Sequence, residues 1–184
     1  MIRKDYINSK LSLPFMKLPN NYFTFFLYPI LFGLLSFLLL WYIIHPQTPI
    51  EFKSHESLIN TYALNMFVGW LFFSAFLLMR ADEEWKKTDS AVRSKNFEKF
   101  KAEAPKMIAF SVRITHAITG IMAITAFYLF YYTNIVLAFV LVFGTSFLVT
   151  ITTLTLWDLD DPLDGMIQVE NVPANWMKAI KKGK

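Results

Sequence analysis

Four long apolar blocks dominate the pattern of this chain, the first three set apart by charged or proline-containing stretches and the last two by a very short gap. The first runs from about 22 to 44 and the second from about 58 to 79, and neither carries a charge. The third covers about 107 to 132, with Arg113 and His116 near its start, and the fourth runs from about 134 to 157. A helix needs about 20 mainly apolar residues to cross a hydrocarbon core roughly 30 Å thick, so each block predicts a membrane-spanning helix. The expected fold class is an all-α polytopic membrane protein with four transmembrane helices, forming one domain over residues 1–184. The gap between the third and fourth blocks leaves room only for an antiparallel hairpin. The first block exceeds the about 7–15 residues of a signal-peptide core and lacks a small-residue cleavage site. It is therefore expected to stay in the mature protein.

The segments between the blocks carry their own patterns. From Arg80 to Ala104 there is no Gly or Pro, and Ala, Glu, Lys and Arg are plentiful. The second helix is expected to continue past the membrane until Pro105 stops it, or to fold back as a hairpin near Ser90 or Asn96. Trp85, Val92, Phe97 and Phe100 give this loop, 80–106, an apolar stripe. In the tail, 158–184, the stretch from Pro173 to Lys182 predicts a short helix with Pro in its first turn. Trp176, Met177 and Ile180 share one face and the lysines the other, a pattern suited to the inner leaflet of a membrane.

Composition supports the membrane reading. Charged residues make up 17% of the 184 positions, below the roughly 25% typical of soluble domains. Nineteen phenylalanines and a mean hydropathy of +0.39 exceed what a water-soluble core of this size would hide. Trp41, Tyr42, Tyr131, Tyr132 and Trp157 stand at block ends, where aromatic anchors meet the membrane–water interface.

Charge adds a direction. Sixteen Lys and Arg lie in the N-terminal tail, the 80–106 loop and the C-terminal tail, against one, Lys53, in the loop between the first two blocks. Positively charged loops stay on the cytoplasmic side, so both termini are expected to be cytoplasmic, in a multi-pass protein of the inner (cytoplasmic) membrane. The net charge of +4 then reflects orientation and anionic headgroups, not a nucleic-acid partner. Without cysteine there is no disulfide, thiolate metal centre, iron–sulfur cluster or cysteine nucleophile.

Polar residues within the apolar blocks are the functional candidates, because each needs a partner or a wet cavity. Arg113 and His116, three apart, share a helix face. They can line an anion path, or Arg113 can snorkel to headgroups or pair with an acidic residue. His116 is also a haem-ligand type, but His45 and His55 lie near the opposite end of the spans, so no haem and no three-histidine metal site is expected. Ser146, Thr150, Thr153 and Trp157 recur at helical spacing. Their hydroxyls either bond back to their own helix or form the polar face of a hydrated conduit. Asn60 and Asn65 with Gly69 offer a further polar seam in the second block. Pro29 and Gly33 can kink the first helix or let a neighbour approach closely.

After the fourth block come four aspartates, Asp158, Asp160, Asp161 and Asp164. Such carboxylates can supply oxygen ligands to calcium, although the glycine and glutamate of an EF-hand loop are missing. They can equally form a turn salt-bridged to the basic loop and Arg113. The stretch Leu159-Asp160-Asp161-Pro162-Leu163-Asp164-Gly165, continuing Met166-Ile167-Gln168-Val169, resembles the bestrophin-like family of bacterial four-span membrane proteins. In that family the fourth span commonly ends in Leu-Asp-x-Pro-Phe-x-Gly; Leu163 stands here at the aromatic position. Bestrophins proper are pentameric chloride channels with a calcium-sensing acidic segment, so the resemblance implies an oligomeric, channel-like bundle. The expectation is an ion (anion) channel with a polar path along spans two to four, using Asn65, Arg113, His116, Ser146, Thr150 and Thr153. Its pore would lie between subunits of a homo-oligomer. The alternative is a non-catalytic accessory subunit of a larger membrane complex. No HExxH, Ser–His–Asp set or Gly-rich phosphate loop suggests an enzyme.

Overall fold

In the computed structural model the described residues are 22–47, 56–103, 108, 110–130, 132–159 and 169–182. They form α-helices, and no strand occurs among them. Helix α1 (Tyr22–Leu39) runs on through a π-helical turn at Leu40–Ile44 and a short 3-10 turn at His45–Gln47. Then follow α2 (Glu56–Arg93), α3 (Phe97–Glu103), α4 (Phe110–Tyr128), α5 (Ile135–Leu159) and α6 (Ala174–Lys182). Tyr22–Ile44, most of α2 and α5 are each long and apolar enough to cross a membrane. Helix α4, of 19 residues, is packed between α2 and α5.

One stripe of α1 is buried: Phe25, Pro29, Gly33, Ser36 and, in the π-helical turn, Leu40. This stripe faces α5. A Cβ on Gly33 would lie 2.8 Å from Phe143 Cδ2 and 3.1 Å from the Phe143 carbonyl oxygen, so the close approach depends on glycine. Gly33 thus does what its position in an apolar helix suggests: it lets a neighbour in.

At 38 residues, α2 is about 57 Å long at 1.5 Å per residue, nearly twice the hydrocarbon thickness of roughly 30 Å. Along it Ala63, Trp70, Ser74, Leu77 and Ala81 are buried and Phe67 half-buried, an alternating spacing of four and three that forms one continuous row. Helix α4 lies antiparallel on this row, with His116 at the level of Ser74 and Gly120 at the level of Trp70. Helix α5 returns against α4, and Val149 meets Gly120.

The end of the bundle at the α4–α5 turn is pinned by hydrogen bonds. Tyr132 Oη donates to the Phe127 carbonyl at 2.8 Å, and His45 Nε2 donates to the Tyr132 carbonyl at 2.8 Å. Trp41 stacks on the His45 ring, and Leu40, Phe127, Tyr132, Ala138 and Val142 form the core beneath. Asn134 caps α5 by accepting from the Val136 amide at 2.8 Å.

At the other end, α2 stops at Arg93, before Pro105. The amides of Lys95 and Asn96 donate to the carbonyls of Val92 and Ala91, and Lys95 adopts a left-handed φ of 53°. This pair of bonds is the Schellman arrangement that closes helices, normally with glycine in the left-handed place. Asn96 then caps α3, its Oδ1 accepting from the Lys99 amide at 3.0 Å. Of the two courses open to the 80–106 loop, the chain takes the hairpin at Asn96. Phe100 is completely buried against Ala91, Val92 and Val169, with Trp85, Phe97, Val172 and Trp176 around it. The apolar stripe read from the sequence is the core of this cluster. Trp176 of α6 lies 5.3 Å, ring to ring, from both Phe97 and Phe100. The hairpin thus offers Trp176 an aromatic surface to pack on.

Candidate functional site

His116, one turn after Arg113 on α4, is completely inaccessible inside the helical bundle. Its Nε2 lies 2.8 Å from Ser74 Oγ, and Ser74 Oγ donates its only proton to the Trp70 carbonyl at 2.7 Å. A hydroxyl has one proton to give, so the bond to the imidazole runs from Nε2–H to Oγ. The tautomer of His116 is set by an ordinary helix back-bond on a neighbouring helix. Aromatic rings enclose the imidazole: Trp70 at 5.5 Å and Phe73 at 5.8 Å between centroids.

Gly120 completes the arrangement. A Cβ there would lie 2.7 Å from Val149 Cγ1 and 3.0 Å from Trp70 Nε1, so α2, α4 and α5 meet over its bare backbone. The buried polar atoms with no hydrogen-bond partner among the described residues include His116 Nδ1, Trp70 Nε1, Ser146 Oγ and Trp157 Nε1. Neutral, His116 presents Nδ1 as an acceptor; protonated, it donates from both ring nitrogens. One proton can therefore be taken up at Nδ1 while the bond to Ser74 stays as it is.

The residues singled out in the sequence take different positions. Ser146 is completely buried, and Arg113 is half-buried in the first turn of α4. Thr150 donates to the Ser146 carbonyl at 2.8 Å and Thr153 to the Val149 carbonyl at 2.7 Å, so both hydroxyls are satisfied within α5. Asn65 is exposed on α2, on the side away from the row that carries Trp70 and Ser74. Asp158 is completely buried in the last turn of α5, at the same end of the bundle as Arg113. Asp160, Asp161 and Asp164, with most of the bestrophin-like stretch, lie outside the described residues.

Ser74, Trp70 and the contact role of Gly120 are not evident from the sequence alone. One signal was available: Trp70 and Ser74 are four apart, on the same row as Ala63, Phe67, Leu77 and Ala81. Tryptophan in spans usually marks the interface, whereas Trp70 stands in the middle of its apolar block.

The class defined so far is an all-helical protein with membrane-length helices and a buried histidine between them. No family model, curated protein or solved structure matches the chain.

Proposed function

We propose that this chain is a four-span subunit of an oligomeric anion channel, with α4 as its third span. In this reading the termini and the α2–α3–α6 cluster lie on the cytoplasmic side of the inner membrane, as the distribution of Lys and Arg favours. The observation that carries the functional part is the complete burial of His116 between membrane-length helices, with Trp70 Nε1 and Ser146 Oγ also lacking partners among the described residues. Each polar atom left unsatisfied in a dry apolar setting costs several kcal/mol, and a bundle serving only as scaffold would gain by placing Leu or Phe there. Ionisable groups at membrane depth mark ion pathways and proton relays. The resemblance of residues 159–169 to the bestrophin-like family supports oligomeric assembly and an anionic cargo.

Planar bilayers containing the purified, assembled protein under a chloride gradient provide the test. The reversal potential is expected to move toward the chloride equilibrium potential, and His116→Leu to reduce the current. Silent bilayers containing oriented, assembled protein would overturn the reading.

A second reading is a non-catalytic subunit of a larger membrane complex, which would pack its partners against large exposed aromatics such as Phe23 and Phe26 of α1. Gentle detergent extraction separates the two. Co-migration with a fixed set of other proteins supports the accessory role, and a homo-oligomer alone removes it.

A further inference from the structure

Helix α2 has a second ordered face, roughly opposite the one that packs on α4. Leu58, Tyr62, Asn65, Gly69, Phe72 and Phe76 follow one another at steps of four, three, four, three and four, and all are exposed. The row continues three residues on to Met79, also exposed, and ends there, because Arg80 begins the charged part of the helix. Alternating steps of four and three are the heptad seam that brings two helices together knobs-into-holes. From Leu58 to Met79 the seam is about 32 Å long at 1.5 Å per residue, the thickness of the hydrocarbon core.

Lipid would tolerate every apolar member of this row, so its apolar residues alone identify nothing. Asn65 and Gly69 are different. An exposed carboxamide about two turns inside the span has no hydrogen-bonding solvent if lipid covers it. One turn further on, a Cβ added at Gly69 would meet nothing within 4 Å, so the backbone there is open to another helix. A polar side chain that bonds across, beside a small residue that permits close approach, is the combination that joins helices in membranes.

We infer that this face is a self-association seam whose occupant is the same face of a second copy of this chain. The inference rests on the membrane-spanning reading above. Copies inserted by the same charge rule share one orientation, so they pair in parallel and equal residues meet at equal depth. Asn65 then faces Asn65, and a carboxamide both donates and accepts, so it satisfies its own kind. A hetero-partner would need a matching amide at that depth; a second copy has one by construction.

The absence of cysteine makes the test direct. Single-cysteine variants of the full-length protein in native membranes would be oxidised with copper phenanthroline. Tyr62→Cys, Phe72→Cys and Phe76→Cys lie on the seam; Leu64→Cys and Leu71→Cys are exposed but about 100° or more to one side. The seam variants are expected to give a product of twice 21.5 kDa and the flanking ones little. Equal crosslinking at both sets, no crosslinking at the seam, or a product of another mass would overturn the inference. With Phe72→Cys as reporter, Asn65→Leu should weaken association about tenfold and Asn65→Gln should largely retain it. An unchanged yield with Asn65→Leu would overturn the role of the carboxamide. Crosslinked but electrically silent protein sinks only conduction, whereas labelling that places Leu58 and Met79 on one side of the membrane sinks the spanning reading itself.

Discussion

Ser74 and His116 are 42 residues apart in the chain, and their side chains meet at 2.8 Å in the interior of the bundle. The bond has a direction, because the Ser74 proton is committed to the Trp70 carbonyl. Ser74 is thus the acceptor that makes a buried imidazole N–H tolerable. Removing one partner should then cost more than removing both.

Ser74→Ala would leave His116 Nε2–H buried with no acceptor, at a cost of about 1–3 kcal/mol. Ser74→Ala combined with His116→Leu removes donor and acceptor together, and stability is expected to recover most of that loss. Unfolding in mixed detergent micelles, followed by circular dichroism, measures Ser74→Ala, His116→Leu and the double variant. A double variant that loses the sum of the two single losses would contradict the assigned bond.

Much of the helical layout was legible beforehand because apolar length is a property of single segments. The blocks at 22–44, 58–79 and 134–157 reappear as parts of Tyr22–Ile44, α2 and α5. The stripe Trp85, Val92, Phe97 and Phe100 was readable as the apolar side of a helical segment, and it forms the core of the α2–α3–α6 cluster. What the sequence could not supply was pairing between helices. His116 stood out as an ionisable residue in an apolar block, but Ser74 is one hydroxyl in a long apolar run and becomes notable only when α4 sets His116 beside it. The hydroxyls of Thr150 and Thr153 were ambiguous for a related reason: a back-bond and a conduit use the same residues at the same spacing, and in the folded chain both hydroxyls make the back-bond. The hairpin at Asn96 escaped a single reading because its left-handed residue is Lys95, where a glycine would have announced the turn.

Glycine positions should separate by sign. Gly33→Ala would press on the Phe143 ring at 2.8 Å and on its carbonyl oxygen at 3.1 Å; the ring can swing aside but the carbonyl belongs to α5 itself. A loss of about 1–3 kcal/mol is expected from such overpacking. At Gly144 a Cβ meets nothing within 4 Å, so alanine there should gain up to about 1 kcal/mol of helix propensity. Thermal midpoints of the two variants in one detergent check the contrast, and a shift of the same sign in both would refute it.

The turn between α2 and α3 places Lys95 at a φ of 53°. A side chain in the left-handed region costs about 1–2 kcal/mol that glycine avoids. Lys95→Gly should therefore slow amide hydrogen exchange across Phe97–Glu103, and Lys95→Val, β-branched at the same φ, should hasten it. Both substitutions remove the same charge, so a shared direction of change would point to electrostatics and against backbone conformation.

Phe100 and His116 belong to clusters with no residue in common, and that separation is itself testable. Phe100 is completely buried, and its ring lies 5.3 Å from Trp176, which ties α6 to the hairpin. Truncating a buried phenylalanine to alanine costs about 3–5 kcal/mol, and a nine-residue helix is marginal in water without its tertiary packing. Phe100→Ala should therefore free α6 while α1, α2, α4 and α5 remain packed. Trypsin, which can cut after Lys178 or Lys181, is expected to trim this variant rapidly and the unmodified protein slowly. The contact of Trp70 with His116 should persist, so near-ultraviolet circular dichroism of the bundle aromatics should change little beyond the loss at Trp85 and Trp176. Collapse of the whole aromatic signal with Phe100→Ala would mean that the two clusters fold as one unit, and that α6 helps to hold the imidazole in place.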